Sequence, residues 1–378
     1  MSRLLLSLLL SLAWCVQAAE PPAAPGPAPA SAGDAAPPSP AQVLAIPPAL
    51  AALLQARVIA PTGSREERLQ RLAEMIFDRD GMDLQYEPDA TYTVAETWQH
   101  RRANCLSFTL LFVTLARAAG VQARVQEVEQ VVSWYQEAGV LYNVGHVNAG
   151  IELNGRTGTA DLDRNVLYDR QGPRPIDDAR ALAHFYNNRG AARLQAGDLA
   201  GAHAYFSAAL GQAPQFVAAL NNMAVLETRQ GQLARARERY LHALRIAPRH
   251  AATLANASAL LERLGDSAEA ARLQRRLQHV RQGDPFVQYM LGAQAETAGD
   301  LAQAIRYYRH AVRLYDSAHQ LHFALARAYF LAGQLQRADT QLRQAQDLAG
   351  SPLHPHYQQK LDALQRWRLQ QASAHLGR

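Results

Sequence analysis

Apolar residues in the first half of the chain return in two different rhythms. Between Ala95 and Gly120 the rhythm is helical. Leu106, Leu110, Val113 and Ala116/Arg117 fall on one face, Asn104 stands where an N-cap belongs, and Gly120 ends the run. The spacing predicts two helices there, with Cys105 at the first position of the second. A strand over Val121 to Val131 and a loop carrying Trp134 and Tyr135 should follow. From His146 the rhythm is two: Val147, Ala149, Ile151 and Leu153 alternate with His146, Asn148 and Glu152, and Asn154-Gly155 signals a two-residue hairpin turn. Such a turn pairs Leu153 with Arg156, sets Asp163 directly opposite His146 and leaves Asp161 as the diagonal neighbour, within side-chain reach.

From Ala183 onward the pattern repeats every 34 residues: Gly190 with Ala224, Ala202 with Ala236, Phe206 with Tyr240, Ala209 with Ala243 and Pro214 with Pro248. After a looser third copy it returns in Gly292 and Ala326, Ala304 and Ala338, and Tyr308 and Leu342. Small residues let two helices approach, a bulky one fills the gap, and proline ends the second helix. This period resembles the tetratricopeptide repeat (TPR), which implies an all-α solenoid of about five repeats over 183–350. The third copy departs, with Gln274 in place of an aromatic and three extra residues before Pro285, an irregularity expected to kink or divide the solenoid. Residues 351–378 should contribute a capping helix, His356 to Ala374. The resemblance places Asn188, Asn222 and Asn256 on the concave face, like an asparagine ladder that holds an extended peptide by its main chain; as ordinary exposed polar residues they need no such role. Phe286, Tyr289, Phe323 and Phe330 are candidates for the same groove, or for the core.

The N-terminal 48 residues read differently. Met1 to Ala18 has the single Arg3, an apolar run from Leu4 to Val16 and the small-residue ending Val16-Gln17-Ala18, a signal-peptide pattern too short for a membrane span. The expectation is export to the periplasm; Trp14 before Cys15 argues against lipoprotein anchoring through that cysteine. The Pro- and Ala-rich stretch 19–48 reads as a disordered spacer. No later stretch is apolar enough to span a bilayer. The net charge of +5 comes from arginines scattered among carboxylates, so no nucleic-acid surface is expected.

Cys105 is the one cysteine outside the leader, and a lone thiol in an exported protein invites a chemical explanation. At a helix start it faces unpaired amides and the positive end of the helix dipole, which favour thiolate. The run Asn104-Cys105-Leu106-Ser107-Phe108-Thr109, then His146 on a strand, then Asp161 on the returning strand, resembles the transglutaminase-like core, whose papain-type triad is Cys-His-Asp. The resemblance covers roughly Val58 to Asp169 and implies Cys105 as nucleophile, His146 as base and Asp161 as its orienting partner, with Asp163 the alternate from the hairpin register. Gln99, six residues upstream, matches the spacing of a papain-type oxyanion glutamine. Asn148 and Ala103 stand where the family often has an aromatic and a glycine, which bears on substrate class. His100, Arg101 and Arg102 could lend positive charge to the thiolate or form a solvated face.

The expected architecture is an α+β transglutaminase-like domain over 49–180 followed by the TPR solenoid. No cofactor is implied, and the histidines lack metal-ligand spacing such as H-E-x-x-H. Two functions fit. One is a thiol hydrolase or acyltransferase acting on an amide or peptide bond, with the repeats recruiting a protein or peptide. The other is a cell-envelope scaffold whose transglutaminase-like module is inactive.

Overall fold

A computed structural model of the chain describes residues 36–128, 135–137, 140–142, 146–162, 172–349 and 354–376. The expected leader, Cys15 and the spacer as far as residue 35 lie outside the described residues. Pro37 to Arg378 form one compact unit.

The spacer does not reach residue 48. Ser39 and Gln42 form a capping box that starts α1 (Pro40–Val43), and Pro48 opens α2 (Pro48–Leu54), which runs on through a π turn at Gln55–Ile59. Val43 and Leu50 are fully buried, and the Tyr186 hydroxyl donates to the Pro38 carbonyl at 2.6 Å. Proline here starts helices, where its missing N–H costs nothing. Val43 and Leu50 supply apolar burial that the averaged composition of the stretch conceals.

The α+β region continues with α3 (Arg65–Phe77), β1 (Gln85–Tyr86), α4 (Val94–His100), β2 (Arg102–Ala103) and α5 (Cys105–Ala118). β1 pairs in parallel with β2. Then come β3 (Gln122–Val128), β4 (Tyr135–Glu137), β5 (Val140–Tyr142), β6 (His146–Leu153), β7 (Arg156–Ala160) and β8 (Arg174–Pro175). The expected strand to Val131 is described only as far as Val128; of the expected loop residues Trp134 lies outside the described residues, and Tyr135 begins β4, which pairs antiparallel with β5. The main sheet has the order β7-β6-β3-β8, with β6 antiparallel to both β3 and β7. Asn154 and Gly155, at φ 50° and 74°, make the two-residue turn that joins β6 to β7 and pairs Leu153 with Arg156. Apolar nearly all round, α5 packs against β3 and β6 with Leu106 through Val113 buried.

Ten helices follow in five antiparallel pairs: α6 (Asp178–Gln195) with α7 (Leu199–Gln212), α8 (Val217–Arg229) with α9 (Leu233–Ile246), and α10 (Ala251–Arg263) with α11 (Ser267–Gln282). The last two pairs are α12 (Pro285–Thr297) with α13 (Leu301–Leu314) and α14 (His319–Leu331) with α15 (Leu335–Leu348). The turn inside every pair uses a glycine with φ between 73° and 81°, at 197, 231, 265, 299 and 333. This left-handed conformation is cheap only for glycine.

Those glycines are 34 residues apart throughout, so the third repeat has no insertion. Pro285 is the first residue of α12, capped by Asp284, and not the stop of α11. Among the described residues no cluster of buried apolar side chains joins α11 to α12. Helix α16 (His354–Leu376) caps the last pair through the buried Tyr357, Leu361 and Leu364.

The expected boundary between domains at 180–183 falls inside α6. Its residues Ala181 to Tyr186 lie in the same core as Leu106, Leu111 and Val147. The first repeat is therefore part of the α+β core as well as the start of the solenoid. Among the described residues no helix is long and apolar enough to cross a membrane.

Candidate functional site

Cys105 is the first residue of α5, half-buried, at an N-terminus built by its neighbours. The Asn104 side chain accepts from the Ser107 amide at 2.9 Å, the N-cap bond that the sequence leads one to expect. Helix geometry leaves the first amides of α5, including that of Cys105, without acceptors inside the helix. A loop over residues 88–93 fixes this start. The Asn104 amide donates to the Ala90 carbonyl at 3.2 Å, and its Nδ2 to Thr91 Oγ1 at 2.8 Å. Ser107 Oγ donates to the Ala90 carbonyl at 2.8 Å and accepts from the Tyr92 amide at 2.7 Å. Thr109 Oγ1 bonds the Cys105 carbonyl at 2.7 Å and lies 3.3 Å from the Val147 carbonyl, tying the helix start to the strand of His146.

His146 opens β6, opposite Val128, and is 5 % exposed. Its Nε2 meets Asp161 Oδ2 at 2.6 Å, and the Cys105 side chain is near enough to interact with the imidazole electrostatically. With Nε2 on the carboxylate, the other ring nitrogen is the one available to the thiol. Burial alone would push the imidazole pKa down. The hydrogen bond to Asp161, and then the interaction with Cys105, outweigh it and raise the pKa to about 9. Histidine is thus held as imidazolium beside the sulfur across neutral pH.

The β6–β7 ladder ends at Ala149 with Ala160, so Asp161 follows the last paired residue and stands across from Asn148. Asn148, fully buried, places Nδ2 3.5 Å from the same Asp161 oxygen that holds His146. The carboxylate on the imidazole is thus the diagonal one, within the side-chain reach that the hairpin register allows. Asp163 lies outside the described residues.

Gln99 is exposed on α4, and among the described hydrogen bonds it makes none to Cys105, His146 or Asp161. Arg101 at φ 58° ends α4, and a two-residue strand leads from there to Asn104 and Cys105. Of the three basic residues, Arg101 donates to the Gly81 carbonyl and covers Trp98, Arg102 pairs with Glu87, and the His100 ring stacks against Tyr92. Among the described residues no group of three or more His, Cys, Asp or Glu could hold a metal ion.

On the solenoid, Asn188, Asn222 and Asn256 are half-buried, and two of them bond neighbouring repeats. Asn222 Nδ2 donates to Asn187 Oδ1 at 2.9 Å, and Asn256 Nδ2 to Asn221 Oδ1 at 3.1 Å; Asn221 Nδ2 then donates to Asn222 Oδ1 at 3.0 Å. The ladder is a stitch between repeats one, two and three. Its buried members Asn187 and Asn221, themselves 34 apart, each precede a half-buried asparagine that shows the same period in sequence. Phe286 and Tyr289, like Phe323 and Phe330, pack partly buried against the core clusters of the last two repeats.

A family model of the transglutaminase-like superfamily matches residues 53–141, a span that holds Cys105 and ends before His146. A tetratricopeptide repeat model matches residues 193–249. Comparison with curated proteins gives no match. Among solved structures, the chain is similar to MamA from Desulfovibrio magneticus RS-1, at 19% identity, 44% of this chain, 94% of that one and a TM-score of 0.25. PilF of Pseudomonas aeruginosa is 19% identical over 53% of this chain and 96% of its own, with a TM-score of 0.27. YrrB, described as a TPR protein with an unusual peptide-binding site, is 16% identical over 47% and 92%, with a TM-score of 0.25.

Proposed function

Because the chain joins a transglutaminase-like domain to tetratricopeptide repeats, we propose that it is a thiol hydrolase or acyltransferase acting on an amide or peptide bond, with the solenoid recruiting the polypeptide. One observation carries the reading: an imidazole fixed on Asp161 through Nε2 and interacting with a thiol at a helix start. Roles and geometry, more than sequence position, define such triads.

In the reaction, Cys105 Sγ attacks the carbonyl carbon, and the developing oxyanion is met by the Cys105 amide at the helix start. The C–N bond breaks as the His146 imidazolium gives its proton to the leaving amine, leaving a thioester on Sγ. Water or a second amine then attacks the thioester, His146 takes that nucleophile's proton, and the thiolate–imidazolium pair is restored. Asp161 stays ionised and holds the ring. The leader pattern over Met1 to Ala18 supports a periplasmic site of action.

Intact-mass measurement on protein mixed with activated peptide esters tests the reading. A mass increase equal to the acyl group, mapping to Cys105 and absent in Cys105→Ala, is the expected result. No adduct across a broad ester panel would leave the envelope scaffold as the better account.

A further inference from the structure

Helix α6 does more than begin the solenoid. Glu96, at the third position of α4, accepts from the Thr93 amide at 2.7 Å, while Thr93 Oγ1 accepts from the Glu96 amide at 3.1 Å, so the two residues form a capping box. The same carboxylate is gripped from the solenoid: Arg189 Nη2 lies 2.6 and 2.7 Å from its two oxygens. Thr93 ends the loop that pins Asn104 and Ser107 on either side of Cys105. A connected path therefore runs from Arg189, through hydrogen bonds to Glu96 and on to Thr93, along the main chain of the loop, and through the loop's hydrogen bonds to the start of the helix that bears the thiol. Arg189 follows directly on Asn187 and Asn188, the first members of the asparagine ladder.

We infer that Arg189 of the first repeat is a positioning residue for Cys105, acting through Glu96, so that the solenoid sets the reactivity of the thiol. The inference rests on the proposed function, since it assigns a task to a residue outside the triad. A carboxylate shared between a helix cap and a second domain has two claims on its orientation. Loss of the arginine leaves the cap in place and removes only the second claim. The loop then holds α5 with one anchor fewer, and a displacement of about 1 Å at a nucleophile is enough to cost up to 10²-fold in rate.

The test reads alkylation of Cys105 by iodoacetamide in the full chain, mapped by peptide mass spectrometry and followed against pH, beside urea unfolding of each variant. Arg189→Ala and Glu96→Gln should each slow the reaction about three- to tenfold, the range expected of residues coupled through a shared contact. The double variant should be no slower than either single one, and Arg189→Lys should recover part of the rate. Glutamine keeps the capping box, so Glu96→Gln stays informative even if Arg189→Ala fails to fold. If folded Arg189→Ala or Glu96→Gln alkylates at the wild-type rate while His146→Ala is slowed, the inference is overturned and the triad stands. A wild-type rate indifferent to His146→Ala overturns both.

Discussion

At the scale of single residues, Asp161 decides whether the imidazole is held, and the structure gives that bond a length of 2.6 Å. Replacing it with asparagine leaves the shape but removes the charge that favours imidazolium. Asp161→Asn should lower the acyl-transfer rate by about 10²-fold or more, judging from the cost of the equivalent change in a serine triad. It should also move the alkaline limb of the rate–pH profile below the value of about 9 set by His146. An unchanged limb would separate the carboxylate from the titration. Hairpin register alone left two carboxylates open, since it ranked Asp163 as the facing residue. What the pattern could not reveal is that the diagonal Asp161 meets the ring at hydrogen-bond distance. The contact of Asn148 with the Asp161 carboxylate and the bonds of the loop over 88–93 to Asn104 and Ser107 were equally hidden, because they join groups distant in sequence.

Helices and their junctions were the most legible scale, because a 34-residue period samples the same packing problem five times. The spacing of the turn glycines was there to be read. Counting from prolines instead made Pro285 look like a late helix stop. Two predictions belong here. Gly292→Ala would bring a Cβ to 2.6 Å from the Tyr308 ring, so overpacking should cost about 1–3 kcal/mol in urea unfolding, although alanine serves at the equivalent position 326 facing the smaller Leu342. A neutral result would mean that the ring can shift. Asn222→Ala and Asn256→Ala each remove a bond between repeats, so each should lower stability by about 1 kcal/mol. Exposed ladder residues with a purely ligand-binding role would cost nearly nothing when replaced, which the same unfolding curves would report.

For the molecule as a whole, the α+β region and the solenoid are joined by a shared core and by ion pairs that only the structure reveals. Arg180 and His184 of α6 reach Glu127 of β3 at 2.9 and 3.1 Å, and Arg117 pairs with Asp178. Burial would raise the Glu127 pKa, but His184 and Arg180 overcome it and hold the carboxyl down to about 2. A folded-state pKa below the ordinary 4.5 means that Glu127 stabilises the fold above that pH and that the contribution fades as pH falls toward about 2. Glu127→Gln should therefore be less stable than wild type near neutral pH, with the gap closing as the pH is lowered; a constant gap would assign the loss to hydrogen bonding instead of charge. Sequence reading drew the domain boundary through α6 because the repeat pattern becomes visible at Ala183, whereas the helix and its contacts begin at Asp178.

The central claim is that His146 and Cys105 act as a pair, and the most direct measurement is the alkylation rate of Cys105 from pH 5 to 10 in wild type and in His146→Ala. With an imidazolium beside the sulfur, the wild-type thiol should react at pH 6 at least about tenfold faster than the variant, whose rate should climb only toward the alkaline end of the range. Superimposable curves for the two proteins would contradict the account.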